Sequence, residues 1–145
     1  MSRILSANTS HLDQILQIEK MEFENPWTYN QIKADLLSIK NSENLVYLIN
    51  DGVIGYILGS LVLDEFHLNN IAVKKKFQSI GIGRMLMENL FYRLKNKKIK
   101  RIYLEVSDSN LHAQKLYKKM GFDQYGIRRN YYKGAHALLF NLDLK

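Results

Sequence analysis

The chain has 145 residues, a formal net charge of +7 and no cysteine. The length suits a single domain, residues 1–145, that can bury most of the surface its unfolded chain exposes. The lack of cysteine excludes disulfides, thiol nucleophiles and thiolate metal sites. The basic charge leaves nucleic acid, the ribosome, an acidic membrane or a phosphorylated cofactor as candidate partners.

The sequence shows no targeting or membrane segment. Arg3 is followed by only two apolar residues, unlike the long apolar region of a signal peptide. The longest apolar run, Val53–Leu63, is interrupted by Gly55, Gly59 and Ser60 and is too short to span a bilayer. We therefore expect a soluble, cytoplasmic protein.

The first part of the chain predicts a strand followed by two helices. Arg3–Ser6 is the strand candidate. Thr9 or Ser10 can cap the first helix, and Thr28 can cap a second helix after the only proline of the chain. The apolar residues expected to face the core are Leu12, Ile15, Leu16 and Ile18 in the first helix and Ile32, Leu36 and Leu37 in the second.

Three antiparallel strands are expected next. Leu45–Ile49 is followed by Asn50-Asp51-Gly52, a hairpin signal in which the Asp-Gly pair suits a turn that needs positive φ. Val53–Leu63 is the return strand. A turn at Asp64-Glu65 then leads into a third strand over Phe66–Val73.

The second half of the chain predicts alternating helices and strands. Asp108 or Ser109 is expected to cap the last helix, and Gly121 to end it in a left-handed conformation. The helix that follows residue 81 carries an apolar stripe of Ile82, Met85, Leu86, Leu90 and Leu94. The predicted elements are a helix over Gly81–Lys95, a strand over Arg101–Val106 parallel to the strand before it, a helix over Asn110–Met120 and closing strands over Phe122–Ile127 and His136–Leu144. The result is a mixed α/β sheet.

A glycine-containing loop, Gln78–Gly83, connects the third antiparallel strand to the helix that follows it. Gly81 and Gly83 have no Cβ, so a ligand can approach the backbone closely. The N-terminus of the following helix brings unpaired N–H groups and the positive end of its dipole, which suit an anion. The loop therefore predicts a phosphate site, although two glycines can equally serve only to start the helix.

This loop resembles the acetyl-coenzyme A loop of the GCN5-related N-acetyltransferases (GNAT), whose pattern is Q/R-x-x-G-x-G/A. The element order, βααβββαβαββ, is also the order of the GNAT fold, a mostly antiparallel sheet with a splayed parallel central pair. The resemblance implies that the strand residues Ile71, Ala72 and Val73 pair with the pantetheine arm of acetyl-CoA. It also implies that the loop amides hold the cofactor pyrophosphate, through Gln78, Ser79, Ile80, Gly81, Ile82, Gly83 and Arg84.

Two residues could perform acid–base chemistry beside this loop. Glu105 lies near the carboxyl end of an apolar strand, where α/β sheets bind ligands. A carboxylate there can accept the proton of an attacking amine, or can simply pair with a lysine. Tyr117 shares one helix face with Asn110 and Gln114. Its hydroxyl can protonate a thiolate leaving group, or the ring can be an ordinary core aromatic.

The residues from Leu63 to Leu144, and above all the string Arg128-Arg129-Asn130-Tyr131-Tyr132, resemble the RimI type of GNAT enzyme. That type acetylates the N-terminal alanine of small-subunit ribosomal protein S-eighteen. The resemblance implies that Glu105 is the general base, Tyr117 the general acid and Asn110 a cofactor contact. It also implies that Tyr131 and Trp27 flank the peptide groove, although packing statistics for tryptophan favour a simply buried Trp27.

The chain departs from this pattern after Tyr132. The loop is short, Lys133-Gly134, and His136 replaces the usual acidic residue. His136 has no partner at metal-ligand spacing, so no metal is expected. The predicted function is acetyl transfer from acetyl-CoA to the N-terminal α-amine of a protein, with the N-terminal alanine of ribosomal protein S-eighteen as the first candidate, and without DNA or membrane binding. The alternatives are another protein N-terminus, a lysine or a small amine as acceptor, or a non-catalytic module that binds acyl-CoA or the ribosome.

Overall fold

The computed structural model describes all residues from Met1 to Lys145, and the predicted order of helices and strands is confirmed. Single turns of 3-10 helix occur at Thr9–His11, Ile39–Asn41 and Lys75–Phe77. None of the helices combines the length and apolar character needed to cross a bilayer. The main elements are β1 (Ser2–Ser6), α1 (Leu12–Glu22), α2 (Tyr29–Leu37), β2 (Leu45–Ile49), β3 (Gly52–Val62), β4 (Glu65–Val73), α3 (Ile82–Asn96), β5 (Arg101–Ser107), α4 (Leu111–Lys119), β6 (Asp123–Tyr132) and β7 (Ala135–Asp143).

The seven strands form one sheet in the order β1-β2-β3-β4-β5-β7-β6. All neighbouring strands are antiparallel except β4 and β5, which are parallel as predicted. The parallel pairing covers only Glu65–His67 against Arg101–Tyr103. Beyond those three pairs the two strands separate, so a gap opens in the middle of the sheet.

A bulge in β4 accounts for this separation. Leu68 and Asn70 pair with consecutive residues of β3, which leaves Asn69 between them without a partner in the register. The Asn69 Nδ2 donates to Asp35 Oδ2 and to Ser60 Oγ, both at 3.0 Å. A bulge bends its strand and increases the local twist. These two hydrogen bonds therefore stabilise the bend that directs β4 away from β5.

Helices cover both faces of the sheet, because the side chains of each strand alternate between them. On β2, Val46 and Leu48 pack with α1 and α2, whereas Leu45 and Tyr47 pack with α3. The first face holds Leu12, Ile15, Ile18, Ile32 and Leu36, and the second holds Ile82, Leu86, Met87, Leu90 and Leu94. The apolar stripes predicted for these helices are thus largely confirmed.

Two predicted core positions are wrong. Leu37, at the last position of α2, is 60% exposed, because it lies about 100° around the helix from the buried Leu36. Met85 is 40% exposed and Met87 is fully buried in its place. The buried residues of α3 centre their stripe on Leu90, which leaves Met85 toward solvent.

Several predicted boundaries also differ. The first helical segment is capped by Asn8, and α4 is capped by Asn110 rather than by Asp108 or Ser109. The hairpin turn uses positive φ at Asn50 and Asp51, one residue earlier than expected, so Gly52 already belongs to β3. β6 extends to Tyr132 instead of ending near residue 127.

Replacing Gly59 by alanine is expected to destabilise the protein by about 3 kcal/mol, because a Cβ there would overlap the buried Phe66 ring. Urea unfolding measures the loss. Gly52→Ala is the matched control, since its Cβ would meet only the Ile49 carbonyl oxygen at 3.4 Å. Equal stability of the two variants would show that the β3–β4 packing yields to a methyl group.

Candidate active site

The gap between β4 and β5 is the mouth of a cleft of about 1400 Å³, referred to below as the cleft. Its walls come from the second half of α1, the loop between α1 and α2, β4, the start of α3, β5, α4 and the β6–β7 hairpin. Ile80 is the one predicted site residue that does not line it, and its side chain is 67% exposed. The predicted residues that line it are Trp27, Ile71, Ala72, Val73, Gln78, Ser79, Gly81, Ile82, Gly83, Arg84, Glu105, Asn110, Tyr117 and Tyr131.

The free edge of β4 presents backbone groups to the cleft. The Lys74 N–H donates to the Ile54 carbonyl of β3, and Ala72 pairs with Tyr56 on the same side. Since backbone groups alternate along a strand, those of Ile71 and Val73 point the other way, into the gap. The Val73 carbonyl accepts a hydrogen bond from Gln78 Nε2 at 2.8 Å. The Val73 N–H and both Ile71 groups can therefore pair with an extended ligand that carries amides.

The glycine loop, residues 78–83, joins this edge to α3. Gln78 Nε2 also donates to Glu22 Oε1 at 2.8 Å, which fixes the start of the loop to α1. Ser79 and Gly81 have φ of 65° and 94°, and Gly81 is the N-cap of α3 without any side-chain cap. The first N–H groups of this 15-residue helix are thus left for an anion.

Tyr117 closes the inner end of the cleft. Its side chain is only 4% exposed and packs against Phe122 and Phe140, with ring centroids 5.7 and 6.3 Å away. The Tyr117 hydroxyl makes no hydrogen bond to another residue, and every fully buried polar side-chain atom in the structure has a partner. The hydroxyl is therefore accessible, and Tyr117 lines the cleft. Burial, with a smaller contribution from Tyr132, raises the pKa of Tyr117 above its ordinary value. The hydroxyl therefore stays protonated and can donate.

Glu105 projects into the cleft from β5 and is not paired with a lysine. Its Oε1 lies 3.2 Å from Arg128 Nη1, and its side chain is 32% exposed. Arg128 in turn lies over the Tyr131 ring, 5.0 Å from the centroid. The arginine therefore fixes one carboxylate oxygen and leaves the other free to accept a proton.

The polar residues at the start of α4 serve the fold more than the cleft. The Asn110 Oδ1 accepts the Ala113 N–H as the helix N-cap, which leaves only its Nδ2 for a ligand. Gln114 is buried and its Nε2 donates to the carbonyls of Ser107 and Asp108. Of the three residues predicted to share one helix face, Asn110 and Tyr117 line the cleft, whereas Gln114 does not and instead anchors the loop after β5.

The α1–α2 loop, residues 23–28, carries Trp27 at the outer part of the cleft. Trp27 is partly buried against the α1–α2 side of the core, so the packed and the groove-lining interpretations both describe it. The backbone N–H of Trp27 donates to Glu19 Oε2 at 2.7 Å. Sequence reasoning missed Glu19, although a carboxylate four residues after Ile15, in an apolar stripe, was the available signal.

His136 shapes the opposite wall. Its Nδ1 accepts the Asn130 N–H at 2.8 Å, and Asn130 has a positive φ of 54° within an irregular part of β6. This irregularity, between Arg128 and Tyr132, is where Tyr131 is presented to the cleft. No cluster of three or more side chains suited to a metal ion is found in the structure.

The sequence matches the model of the acetyltransferase (GNAT) family over residues 12–122. The chain belongs to this GNAT family. The match covers α1 through the end of α4, and therefore includes the splayed strands, the glycine loop, Glu105 and Tyr117. The predicted GNAT resemblance is confirmed, and with it the enzyme class, because members of this family transfer acetyl groups from acetyl-CoA.

Named relatives cover nearly the whole chain. The ribosomal protein bS18 alanine N-acetyltransferase of Salmonella typhimurium is 36% identical over 137 residues, 94% of this chain and 91% of the relative. The enzyme of the same name from Haemophilus influenzae is 34% identical over 132 residues, 91% of this chain and 88% of the relative. The crystal structure of the ribosomal-protein alanine N-acetyltransferase from Escherichia coli has a TM-score of 0.94 and 31% identity, covering 100% of this chain and 95% of that one. The predicted RimI-type GNAT fold is thus confirmed.

Proposed function

We propose that residues 1–145 form a single catalytic domain that transfers the acetyl group of acetyl-CoA to the N-terminal α-amine of a protein, with the N-terminal alanine of ribosomal protein bS18 as substrate. The observation that carries this proposal is the cleft between β4 and β5, which brings the free strand edge, an uncapped helix N-terminus, Glu105 and Tyr117 together. The relatives that are acetyltransferases for the bS18 alanine cover about nine-tenths of the chain and support the substrate.

The donor would lie along β4 and end at α3. Its extended pantetheine arm carries amides that can pair with the backbone groups of Ile71 and Val73. Its pyrophosphate suits the N–H groups that follow Gly81, where no side chain caps the helix. Arg84 lies at the same helix end, where its 67% exposed side chain is 3.8 Å from Glu88 Oε1 and can turn its charge toward the pyrophosphate. Gln78, Ser79 and Asn110 complete this side of the cleft, and Ile80, whose side chain is exposed, would contribute only its backbone amide.

The acceptor peptide would enter between the α1–α2 loop and the β6–β7 hairpin, where Trp27 and Tyr131 line the cleft. This direction brings an N-terminal amine toward Glu105 on β5. The side chains of Tyr131 and Tyr132 meet edge to face, with centroids 5.1 Å apart, and offer an apolar wall. Arg128 holds this wall and Glu105 in a fixed relation through its two contacts.

The chemistry needs two proton transfers, and each has a group. The amine nitrogen forms a bond to the thioester carbonyl carbon, and the carbon–sulfur bond breaks. Glu105 accepts the proton that the amine loses, directly or through a water molecule. Tyr117 donates its hydroxyl proton to the departing thiolate. Holding amine and thioester side by side in the cleft supplies the largest part of the acceleration.

Mass spectrometry of a synthetic peptide with the N-terminal sequence of bS18, after incubation with the protein and acetyl-CoA, tests the proposal. We expect one added acetyl group on the α-amine. A peptide of the same sequence with a blocked α-amine is the control, and acetylation of its lysines would move the acceptor to side chains. Coenzyme binding without acetylation of any peptide would contradict the proposed reaction.

Replacing Gly81 by alanine is expected to weaken acetyl-CoA binding about tenfold. An L-residue at a φ of 94° is strained by about 1–2 kcal/mol, and relief of that strain moves the amides that hold the pyrophosphate. Isothermal titration calorimetry with acetyl-CoA measures the dissociation constant. Gly121→Ala is the matched control, because Gly121 has a similar φ of 101° but lies at the end of α4. Equal weakening by both changes would show an effect of stability and not of the loop.

A further inference from the structure

A buried carboxylate, Glu19, lies in the wall of the cleft. Glu19 of α1 is only 1% exposed, although its neighbours along the helix face are apolar. A carboxylate with so little access to water costs free energy unless hydrogen bonds compensate it. Burial raises the pKa of Glu19, and the hydrogen bonds that it accepts act in the opposite direction. Because burial of the Glu19 carboxylate costs free energy, its hydrogen-bond partners indicate which part of the structure it stabilises.

Glu19 accepts hydrogen bonds from three different parts of the chain. Its Oε2 accepts a hydrogen bond from the Trp27 backbone N–H at 2.7 Å. Its Oε1 accepts hydrogen bonds from Asn70 Nδ2 at 2.9 Å and from the Tyr56 hydroxyl. Burial, together with the nearby Glu19 charge, raises the pKa of Tyr56, so this hydroxyl remains a donor. One side chain therefore joins α1, the α1–α2 loop, β3 and β4.

Two of these three contacts belong to the walls of the cleft. Asn70 directly precedes the β4 edge that faces the donor, and Trp27 lies on the acceptor side. The third, Tyr56, is fully buried and does not line the cleft. Between Phe23 and Thr28 the α1–α2 loop has no strand or helix hydrogen bonds of its own. The bond from the Trp27 backbone N–H to Glu19 and the packing of Phe23 and Trp27 against the core therefore set its position.

We propose that Glu19 is a positioning residue for peptide acetylation. It accepts the Trp27 backbone N–H and is anchored to β4 through Asn70. These two contacts hold the α1–α2 loop at the distance from β4 that the acceptor peptide needs. The inference rests on the proposed function. It assigns Glu19 no contact with the reacting atoms and no proton transfer. Its effect is on the binding of the peptide and not on the binding of the donor.

Glu19→Ala removes the acceptor for Trp27. The change also removes the acceptor for Asn70 and Tyr56, but only the bond to Trp27 holds the loop. Loss of that hydrogen bond to a charged group is expected to raise the KM for the peptide about tenfold or more, while the acetyl-CoA dissociation constant changes less than about twofold. Trp27 is the only tryptophan, so acrylamide quenching of its fluorescence reports the loop directly. Quenching should increase in Glu19→Ala, with or without peptide.

Two variants separate positioning from general stability. Tyr56→Phe removes one donor to Glu19 but leaves the bond to Trp27, so it should lower stability in urea without changing the peptide KM or the quenching. Glu19→Gln keeps one oxygen that can accept the Trp27 backbone N–H, and its NH2 group can donate to Asn70 Oδ1 once the Asn70 amide turns over. It should therefore restore both readouts close to the wild-type values. If Glu19→Ala does not fold, Glu19→Asp replaces it, because a side chain shorter by one methylene cannot reach both Trp27 and Asn70.

The inference is overturned if Glu19→Ala leaves the peptide KM and the quenching unchanged. It is also overturned if Tyr56→Phe raises the KM by the same factor, since the effect would then follow stability. A wild-type protein that acetylates no peptide contradicts the proposed function instead. In that case the quenching series alone decides whether Glu19 holds Trp27 in place.

Discussion

Glu105→Gln is expected to reduce kcat for peptide acetylation by about two to four orders of magnitude, the usual contribution of a general base. The amide cannot accept the proton of the attacking amine. Its oxygen can face Arg128, whose Nη1 lies 3.2 Å from Oε1 of the wild-type carboxylate as an ion pair. The cleft should therefore keep its shape, and the acetyl-CoA dissociation constant should stay within about twofold of the wild-type value.

Steady-state kinetics with the bS18 peptide measures this loss, and calorimetry measures the coenzyme affinity. Glu65→Gln is the matched control. Glu65 also lines the cleft, but it lies at the far end of β4 and its carboxylate faces His67 at 3.3 Å. Its kcat should remain near the wild-type value. If both variants lost the same fraction of kcat, the total negative charge of the cleft would matter and a specific base at Glu105 would be wrong.

The parts of the fold that could be predicted from the sequence are those set by local physics. Thr28 and Gln31 form a reciprocal capping box within four residues of one another, and Thr28 was predicted as a cap. Gly121 takes a φ of 101° at the end of α4, where a left-handed residue was predicted. Strands β2 and β5 follow from short apolar runs between turn signals. In each case the deciding contacts lie within a few positions along the chain.

The parts that could not be predicted depend on residues far apart in sequence. The bulge at Asn69 opens the cleft, but its side-chain partner Asp35 is 34 positions away. Glu19 binds Asn70 across 51 positions. Neither pairing has a periodic signature, because a single polar contact between distant segments leaves no repeat in the sequence. The glycine loop could be predicted as a phosphate site from its own residues, whereas its cofactor, acetyl-CoA, was implied only by the resemblance.

The two predicted proton-transfer residues illustrate the same limit. The strand position of Glu105 was readable from alternation, whereas its pairing with Arg128 of β6 requires the register of β5, β7 and β6. For Tyr117 the sequence left a core aromatic and a proton donor as alternatives. The structure shows both features in one side chain, a ring buried among Phe122 and Phe140 and a hydroxyl on the cleft. Its role as the acid stays a prediction.

Tyr117→Phe tests that role and is expected to lower kcat about a hundredfold, because the departing thiolate loses its proton donor. Phenylalanine fills the same space against Phe122 and Phe140, so stability in urea should change little. Tyr47→Phe is the matched control. Tyr47 is a buried tyrosine of β2 outside the cleft, and its removal should leave kcat unchanged.

The pH dependence distinguishes a proton donor from a packing residue. Burial raises the pKa of Tyr117, so its protonated form persists as the pH rises through about 10, the ordinary value for tyrosine. The ratio of wild-type to Tyr117→Phe kcat should therefore stay constant from pH 7 to about pH 10. A ratio that falls toward one over this range would mean that the hydroxyl ionises at its ordinary pKa and has lost the burial on which its role depends. A ratio near one at every pH would assign the protonation of the thiolate to another group, such as a water molecule in the cleft.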